Sequence, residues 1–456
     1  MKIDRWRGLF LAGLAAGFLW AGPAGAAPDP SVERDRASRD LPTLDEHATV
    51  SDYLTYGALN NPGLEAAFYR WQAALEKIPQ ARSLPDPRVS YSYFIREVET
   101  RVGPQRQKFG FYQRFPWFGK LQLRRDVAAE AANAERERYQ GEKLRLFYRV
   151  KDAYYEYYYL ARSIAVTEES VDLLRQIEAV ARVRYEAGAV SFADVVRAEV
   201  ERSKLEDRLR SQQDLRGALS ARLNAVLGRT SAEILPWPAE MPDAVQVASD
   251  AELREWVSRR NPELRALDFA IERERAAANL AAKSLLPDFT LGVEVIDTEE
   301  AMNPGVVDSG KDPVMAMLTV DLPLWYRKHR AEKREADARV QAALRSRSDH
   351  ENALMADLRL ALYRFRDGER RVELYGRELI PRATESLGVT KQAYAAGKAD
   401  FQDLVEAQRT LLEFGLSYER ALVDRAVRLA ELEMLAGEDA PGVGQPSGEQ
   451  TTGPSR

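Results

Sequence analysis

The sequence has no cysteine and only three histidines in 456 residues. Without cysteine there is no disulfide framework, no thiolate metal site and no thiol for an N-terminal lipid anchor. His47, His329 and His350 are scattered among polar residues, with no His-x-x-x-His pair, and read as isolated surface side chains. No catalytic constellation and no phosphate-binding loop is apparent, so neither an enzyme nor a nucleotide-driven machine is expected, and no cofactor. Excess positive charge is missing too: the formal charge is −5, which does not favour a nucleic-acid partner. Beyond the N-terminus no apolar run approaches the ~18 residues of a membrane-spanning helix.

That N-terminus reads as a secretory signal over residues 1–26. Lys2, Arg5 and Arg7 precede an apolar run from Gly8 to Ala21, and Ala24-Gly25-Ala26 suits cleavage. Removing its three basic residues and one acid takes the charge to −7. A leader (27–50) follows, and the Gly-, Pro- and Ser-rich 437–456 reads as a disordered tail.

Between them the chain repeats itself. Asn61-Pro62-Gly63-Leu64 returns as Asn261-Pro262-Glu263-Leu264, and Leu84-Pro85-Asp86 as Leu286-Pro287-Asp288. Phe115-Pro116-Trp117-Phe118 is matched by Leu322-Pro323-Leu324-Trp325, and Tyr185-Glu186-Ala187-Gly188 by Tyr394-Ala395-Ala396-Gly397. The order is kept and only loop lengths differ, which defines copies at 51–235 and 251–436 joined by a linker (236–250).

Each copy holds long heptad-patterned helices, expected over 118–185, 192–227, 325–394 and 401–435, with shorter ones at 61–81 and 261–283. Leu404, Ala407, Leu411, Phe414, Tyr418 and Ala421 alternate steps of three and four, the spacing of a coiled-coil seam. The run Tyr154, Tyr155, Tyr157, Tyr158 and Tyr159 reads as interhelical packing rather than a ligand site. Each copy also holds a β-hairpin, at about 87–117 and 288–323. Val89, Tyr91, Tyr93 and Ile95 alternate with Ser90, Ser92 and Arg96, Phe94 being the exception. Phe109 and Phe111, then Leu291, Val293 and Val295, then Leu318 and Val320 alternate likewise. Strands of about ten residues with this dyad period suit an outer-membrane barrel. Phe115, Trp117, Phe118, Trp325 and Tyr326 crowd the strand ends like an aromatic girdle. Four strands per chain cannot close, because a barrel needs about eight or more. Two chains would fill the interior, and three would leave a lumen.

The helix tips carry the remaining signal. Gly188 and Gly397 suit the left-handed residue that ends a helix. Ser191 with Asp194, and Asp400 with Asp403, are capping-box-like restarts, so capping alone accounts for these acids as readily as a functional role does. One turn later the copies diverge, with Arg197 in the first and Glu406 in the second. Asp403 and Glu406, three apart, share a helix face.

The Asn-Pro-x-Leu starts, Pro-Asp strand entries, Tyr-x-x-Gly tips and the duplication, in this order over about 61–435, resemble the outer-membrane efflux protein (TolC-like) family. The resemblance implies a mainly α fold with transmembrane β. Internally duplicated coiled-coil helices would build a periplasmic α-helical tunnel, and the two hairpins would give four strands to a trimeric, 12-stranded barrel in outer-membrane lipid. It implies a homotrimer working with a periplasmic adaptor protein and an inner-membrane transporter of RND type. It also implies a constriction formed by Asp403 and Glu406, with Asp400 grouped with them; such a ring of carboxylates would favour cations over anions. The first-copy tip (Gly188, Ser191, Asp194, Arg197) would support this gate from outside, and both glycine turns are candidate adaptor contacts. Phe115-Pro116-Trp117-Phe118-Gly119-Lys120-Leu121 resembles the heavy-metal branch, which implies metal cations as cargo, although without cysteine or a His pair no dedicated metal site is expected. The alternatives are a duct for drugs or other small molecules, and a soluble periplasmic coiled-coil scaffold whose hairpins pack in water.

Overall fold

The computed structural model describes residues 42–229, 233–238, 241, 247–303 and 305–437. The expected signal peptide, most of the leader, part of the linker and the tail beyond Gly437 lie outside them. In the first copy, α1 (Val50–Asn60), α2 (Pro62–Leu75) and α3 (Lys77–Arg82) lead into β1 (Arg88–Val98) and β2 (Gln105–Phe115). Then come the long α4 (Lys120–Glu186) and α5 (Phe192–Leu227). The second copy runs α6 (Asp250–Arg260), α7 (Pro262–Ala282), β3 (Asp288–Thr298), β4 (Val314–Asp321), α8 (Tyr326–Glu373), α9 (Ile380–Ala395) and α10 (Phe401–Ala436). Among the described residues no helix is long and apolar enough to cross a membrane.

The Asn-Pro motif is a double cap. Asn61 Oδ1 accepts from the Leu64 N–H (3.0 Å), starting α2, while its Nδ2 donates to Val226 O (2.8 Å) at the end of α5. Asn261 repeats both roles, accepting from Glu263 N (2.9 Å) and donating to Leu435 O (3.0 Å) at the end of α10. Pro at the first helical position has no N–H to orphan. Helices α1 and α6 were not anticipated, although capping boxes mark both: Asp52 reaches back to Thr49 and Glu252 to Ser249.

At ~1.5 Å per residue the 67-residue α4 spans ~100 Å without a break. Its counterpart does not. A π-helical turn, Leu374–Leu379, separates α8 from α9 just ahead of Pro381. Proline lacks the N–H of the helical ladder and clashes with the carbonyl four residues back, so the backbone widens there. The single helix expected over 325–394 is thereby corrected to two.

The expected heptad seam on α10 is half of what is present. The most buried stripe is Leu404, Gln408, Leu412, Leu416, Glu419 and Val423. It faces α4, joined by Arg162–Glu419 (2.9 Å) and Arg420–Glu156 (2.8 Å). Phe414 and Tyr418 form a second stripe against the π turn, where Tyr375 meets Phe414 (5.9 Å between ring centroids). A helix with two seams is a stave in a curved wall, whereas a two-stranded rod needs only one. The tyrosine run packs as expected: Tyr154, Tyr155 and Tyr157 are buried, and Tyr157 Oη donates to Leu235 O (2.7 Å).

Both hairpins join one antiparallel sheet, ordered β1-β2-β3-β4. The apolar residues fall in register across it: Val89, Phe111, Val293 and Ala316 form one row, and Tyr91, Phe109, Val295 and Val314 the next. This face is exposed or, at Phe109 and Val295, half-buried, whereas Glu294, Asp288 and Thr298 on the other face of β3 are buried. Tyr112 crosses the polar face above Gly292, where a Cβ would come within 2.6 Å of its ring. Its hydroxyl donates to Glu294, which also pairs with Lys108 (2.7 Å).

Candidate functional site: two helical tips and a barrel foot

Both tips are closed by the same backbone device. Gly188 N donates to Tyr185 O (2.8 Å) and Ala189 N to Arg184 O (2.8 Å); Gly397 N donates to Tyr394 O (3.0 Å) and Lys398 N to Ala393 O (2.8 Å). These are Schellman closures, and Gly188 (φ +69°) and Gly397 (φ +76°) occupy the left-handed position they require. A Tyr–Phe pair staples each turn, Tyr185 with Phe192 at 5.3 Å and Tyr394 with Phe401 at 5.9 Å.

The restarts differ. Asp403 Oδ2 accepts from the Asp400 N–H (3.2 Å), the expected back-bond of a capping box. In the first copy no such bond forms. Asp194 instead approaches Arg197 (3.6 Å), so its charge is answered within its own turn. Asp400, Asp403 and Glu406 all lie exposed, Asp403 and Glu406 one turn apart on α10.

Sequence reading missed what binds the tips together. Arg184, near the end of α4, crosses to the second copy. It donates to Tyr394 O, the carbonyl that also accepts from Gly397 N at the end of α9, and lies over the Tyr394 ring at 4.5 Å. Burial raises the Tyr394 phenol above its ordinary value, partly offset by the Arg184 charge. Arg409 reaches back from α10 to Glu201 on α5 (2.7 Å). Burial alone would raise the Glu201 carboxyl. Hydrogen bonds from Arg409 and Lys204, with their charges, outweigh it and hold the group below the usual carboxylate range. A shared apolar core backs these ties, with Leu174, Ile177 and Val195 from one copy against Leu387, Tyr394, Phe401 and Leu404 from the other.

At the far end of α4, the Pro-Asp strand entry of the second copy proves to be an ion-pair hub. Buried Asp288 accepts from Lys120 Nζ (2.7 Å), Arg114 Nη2 (3.0 Å) and the Trp117 N–H (3.0 Å), and Arg114 also reaches Asp321 (3.3 Å). Phe115, Trp117, Phe118, Trp325 and Tyr326 all lie at this end of the sheet. Phe118, Trp325 and Tyr326 are well exposed, while Trp117 stacks on Phe289 (5.3 Å).

Two of the three histidines are not isolated. His329 Nδ1 lies 3.1 Å from Glu332 within α8 and His350 Nε2 2.6 Å from Glu263 on α7, while His47 is exposed. Among the described residues no group of three His, Asp or Glu side chains could hold a metal ion.

A duplicated helical hairpin of this length, with an amphipathic half-sheet at one end and closed tips at the other, defines a channel protomer. The family profile described as outer membrane efflux protein matches residues 58–229 and 255–438, and the chain belongs to that family. It is therefore an outer-membrane efflux channel, a passive conduit and no enzyme, and the scaffold alternative falls away. It is 24% identical over 428 residues, 90% of this chain and 95% of the relative, to the cobalt-zinc-cadmium resistance protein CzcC of Cupriavidus metallidurans. Its fold matches CusC at a TM-score of 0.75, with 14% identity over 88% of this chain and 96% of CusC. It likewise matches the outer membrane protein VceC of Vibrio cholerae at 0.71, with 17% identity over 85% and 96% of the two chains.

Proposed function

We propose that this channel conducts metal cations from the periplasm outward, and that the second-copy tip is its gate. The observation that carries the gate is the contrast in charge. Asp403 and Glu406 stand exposed on one face, whereas Asp194 is matched by Arg197 3.6 Å away. In a trimer, three copies of each acid around one opening attract cations and repel anions. Asp400 lies beside them, and its backbone N–H orients Asp403. The first-copy tip buttresses the gate through Arg184, and both glycine turns present the surface that meets a periplasmic adaptor. An inner-membrane transporter of RND type supplies energy and selects the cargo. The exposed aromatic girdle sits in outer-membrane lipid. The metal reading rests on the name and length match of the CzcC relative, together with the Phe115–Leu121 segment.

Planar-bilayer recording tests the gate. Asp403→Ala with Glu406→Ala raises single-channel conductance several-fold and weakens block by divalent cations; unchanged conductance would sink the assignment. For the cargo, a host lacking the chain becomes sensitive to cobalt, zinc or cadmium salts. Sensitivity to drugs alone would replace metal by small-molecule export.

A further inference from the structure

The sheet ends in two open edges, β1 and β4. Open strand edges are not tolerated in lipid, so another copy of the chain must cover them. The duplication shows how. Inside one protomer β2 pairs with β3, Phe111 opposite Val293 and Gln113 opposite Leu291. By the repeat, β4 stands to β2 as Leu322-Pro323 stands to Phe115-Pro116, and β1 to β3 as Pro85-Asp86 stands to Pro287-Asp288. Carrying the β2–β3 register over residue by residue sets Leu318 opposite Tyr91 and Val320 opposite Val89 of the neighbouring subunit.

We infer that the subunit seam is β4 against the neighbour's β1 in this register, and that it is locked on the polar face by an ion pair between Asp321 and Arg88. The inference rests on the trimeric reading above but fixes something that reading leaves open. Three observations support it. The apolar rows continue across the seam, since Leu318, Val320, Val89 and Tyr91 all lie on the exposed apolar face. Asp321, half-exposed, has Arg114 at 3.3 Å, and Arg114 is already shared with Asp288. Arg88 is exposed at the foot of β1. Its arrival extends the alternation Lys120, Asp288, Arg114, Asp321 into the next subunit. A slip of two residues would preserve the faces but set Asp321 against Asp86 in one direction and Ser90 in the other, losing the pair. The same register also accounts for Phe94, the exception in the β1 alternation. It falls opposite Met315, and a thioether packs favourably on an aromatic ring.

The absence of cysteine makes the test clean. In the full-length channel, Ser90→Cys with Thr319→Cys places two thiols directly opposite across the seam, within reach of a disulfide. Mild oxidation then gives covalent dimers and trimers on denaturing gels, while either single variant stays monomeric. Ser90→Cys with Met315→Cys, four residues out of register, gives little product. Cross-linking of the offset pair as readily as the opposed pair would overturn the register. So would an opposed pair that stays monomeric while sedimentation in detergent still reports a trimer. A monomer in detergent would overturn the trimeric reading itself, and the seam with it. Arg88→Asp sets like charges across the seam and lowers the temperature at which the detergent-solubilised trimer dissociates. An unchanged temperature would remove the ion pair and leave the register standing.

Discussion

The two helical tips are built from the same sequence signal and end in opposite conditions. Tyr185 and Phe192 in the first copy are 44% and 58% exposed, whereas Tyr394 and Phe401 in the second are 1% and 3% exposed. Both turns close with the same hydrogen bonds, so local backbone chemistry does not separate them. What separates them is that the first tip lends Arg184 and part of its helix face to the second and receives no such cover within the protomer. Duplication thus supplied two equal parts, and packing made one the support and the other the supported. The second tip is held by a few identifiable ties, from Arg184 and Arg409, over a common core.

The largest test of this asymmetry is aromatic truncation. Phe401→Ala removes a buried ring and should cost about 3–5 kcal/mol, while Phe192→Ala, more than half exposed, should cost about 1 kcal/mol or less. Denaturant unfolding followed by circular dichroism compares them, and equal losses would abolish the contrast. Next in size is Arg184→Ala. Losing a charged hydrogen bond to a helix-end carbonyl is worth about 1.5–3 kcal/mol, so amide exchange at Ala396–Lys398 should quicken ~10–100-fold while the turn at Gly188 is unaffected. Arg184→Lys should not restore protection, because an ammonium lacks the planar face that lies on Tyr394.

The smallest effect is that of pH on the Glu201–Arg409 tie. The Glu201 pKa is lowered in the folded protein, so its contribution is complete above the unfolded value of ~4.3 and is lost as pH falls through the folded value. Tip protection should therefore be level from neutral down to about pH 5 and decline only in stronger acid, by no more than ~1 kcal/mol for so accessible a pair. Glu201→Gln should remove that decline. A transition near pH 6 instead would point to another group.

Much of this architecture was legible because repetition amplifies weak signals. Asn-Pro, Pro-Asp and Tyr-x-x-Gly mean little singly, and each turned out to mark a helix cap, a strand entry or a tip. What was not legible falls into two kinds. Arg184 and Arg409 act between copies, on partners 210 and 208 residues away, and nothing in a local pattern encodes such a distance. The capping boxes before α1 and α6 and the proline after the π turn were local and readable. They are punctuation, which an apolar period does not carry.

The double caps at Asn61 and Asn261 have a consequence for how such a chain arose. In each copy a single carboxamide joins the start of the second helix to the end of the last, 165 residues on in one case and 174 in the other. The copy is thereby a closed circuit whose start and finish lie side by side. A circuit of that kind can be duplicated in tandem with no loose end to accommodate, needing only a short bridge from one finish to the next start. The inter-repeat linker is that bridge. A half-length chain of this kind would carry its own fastening, and six of them in a ring would present the same staves and strands as three doubled chains.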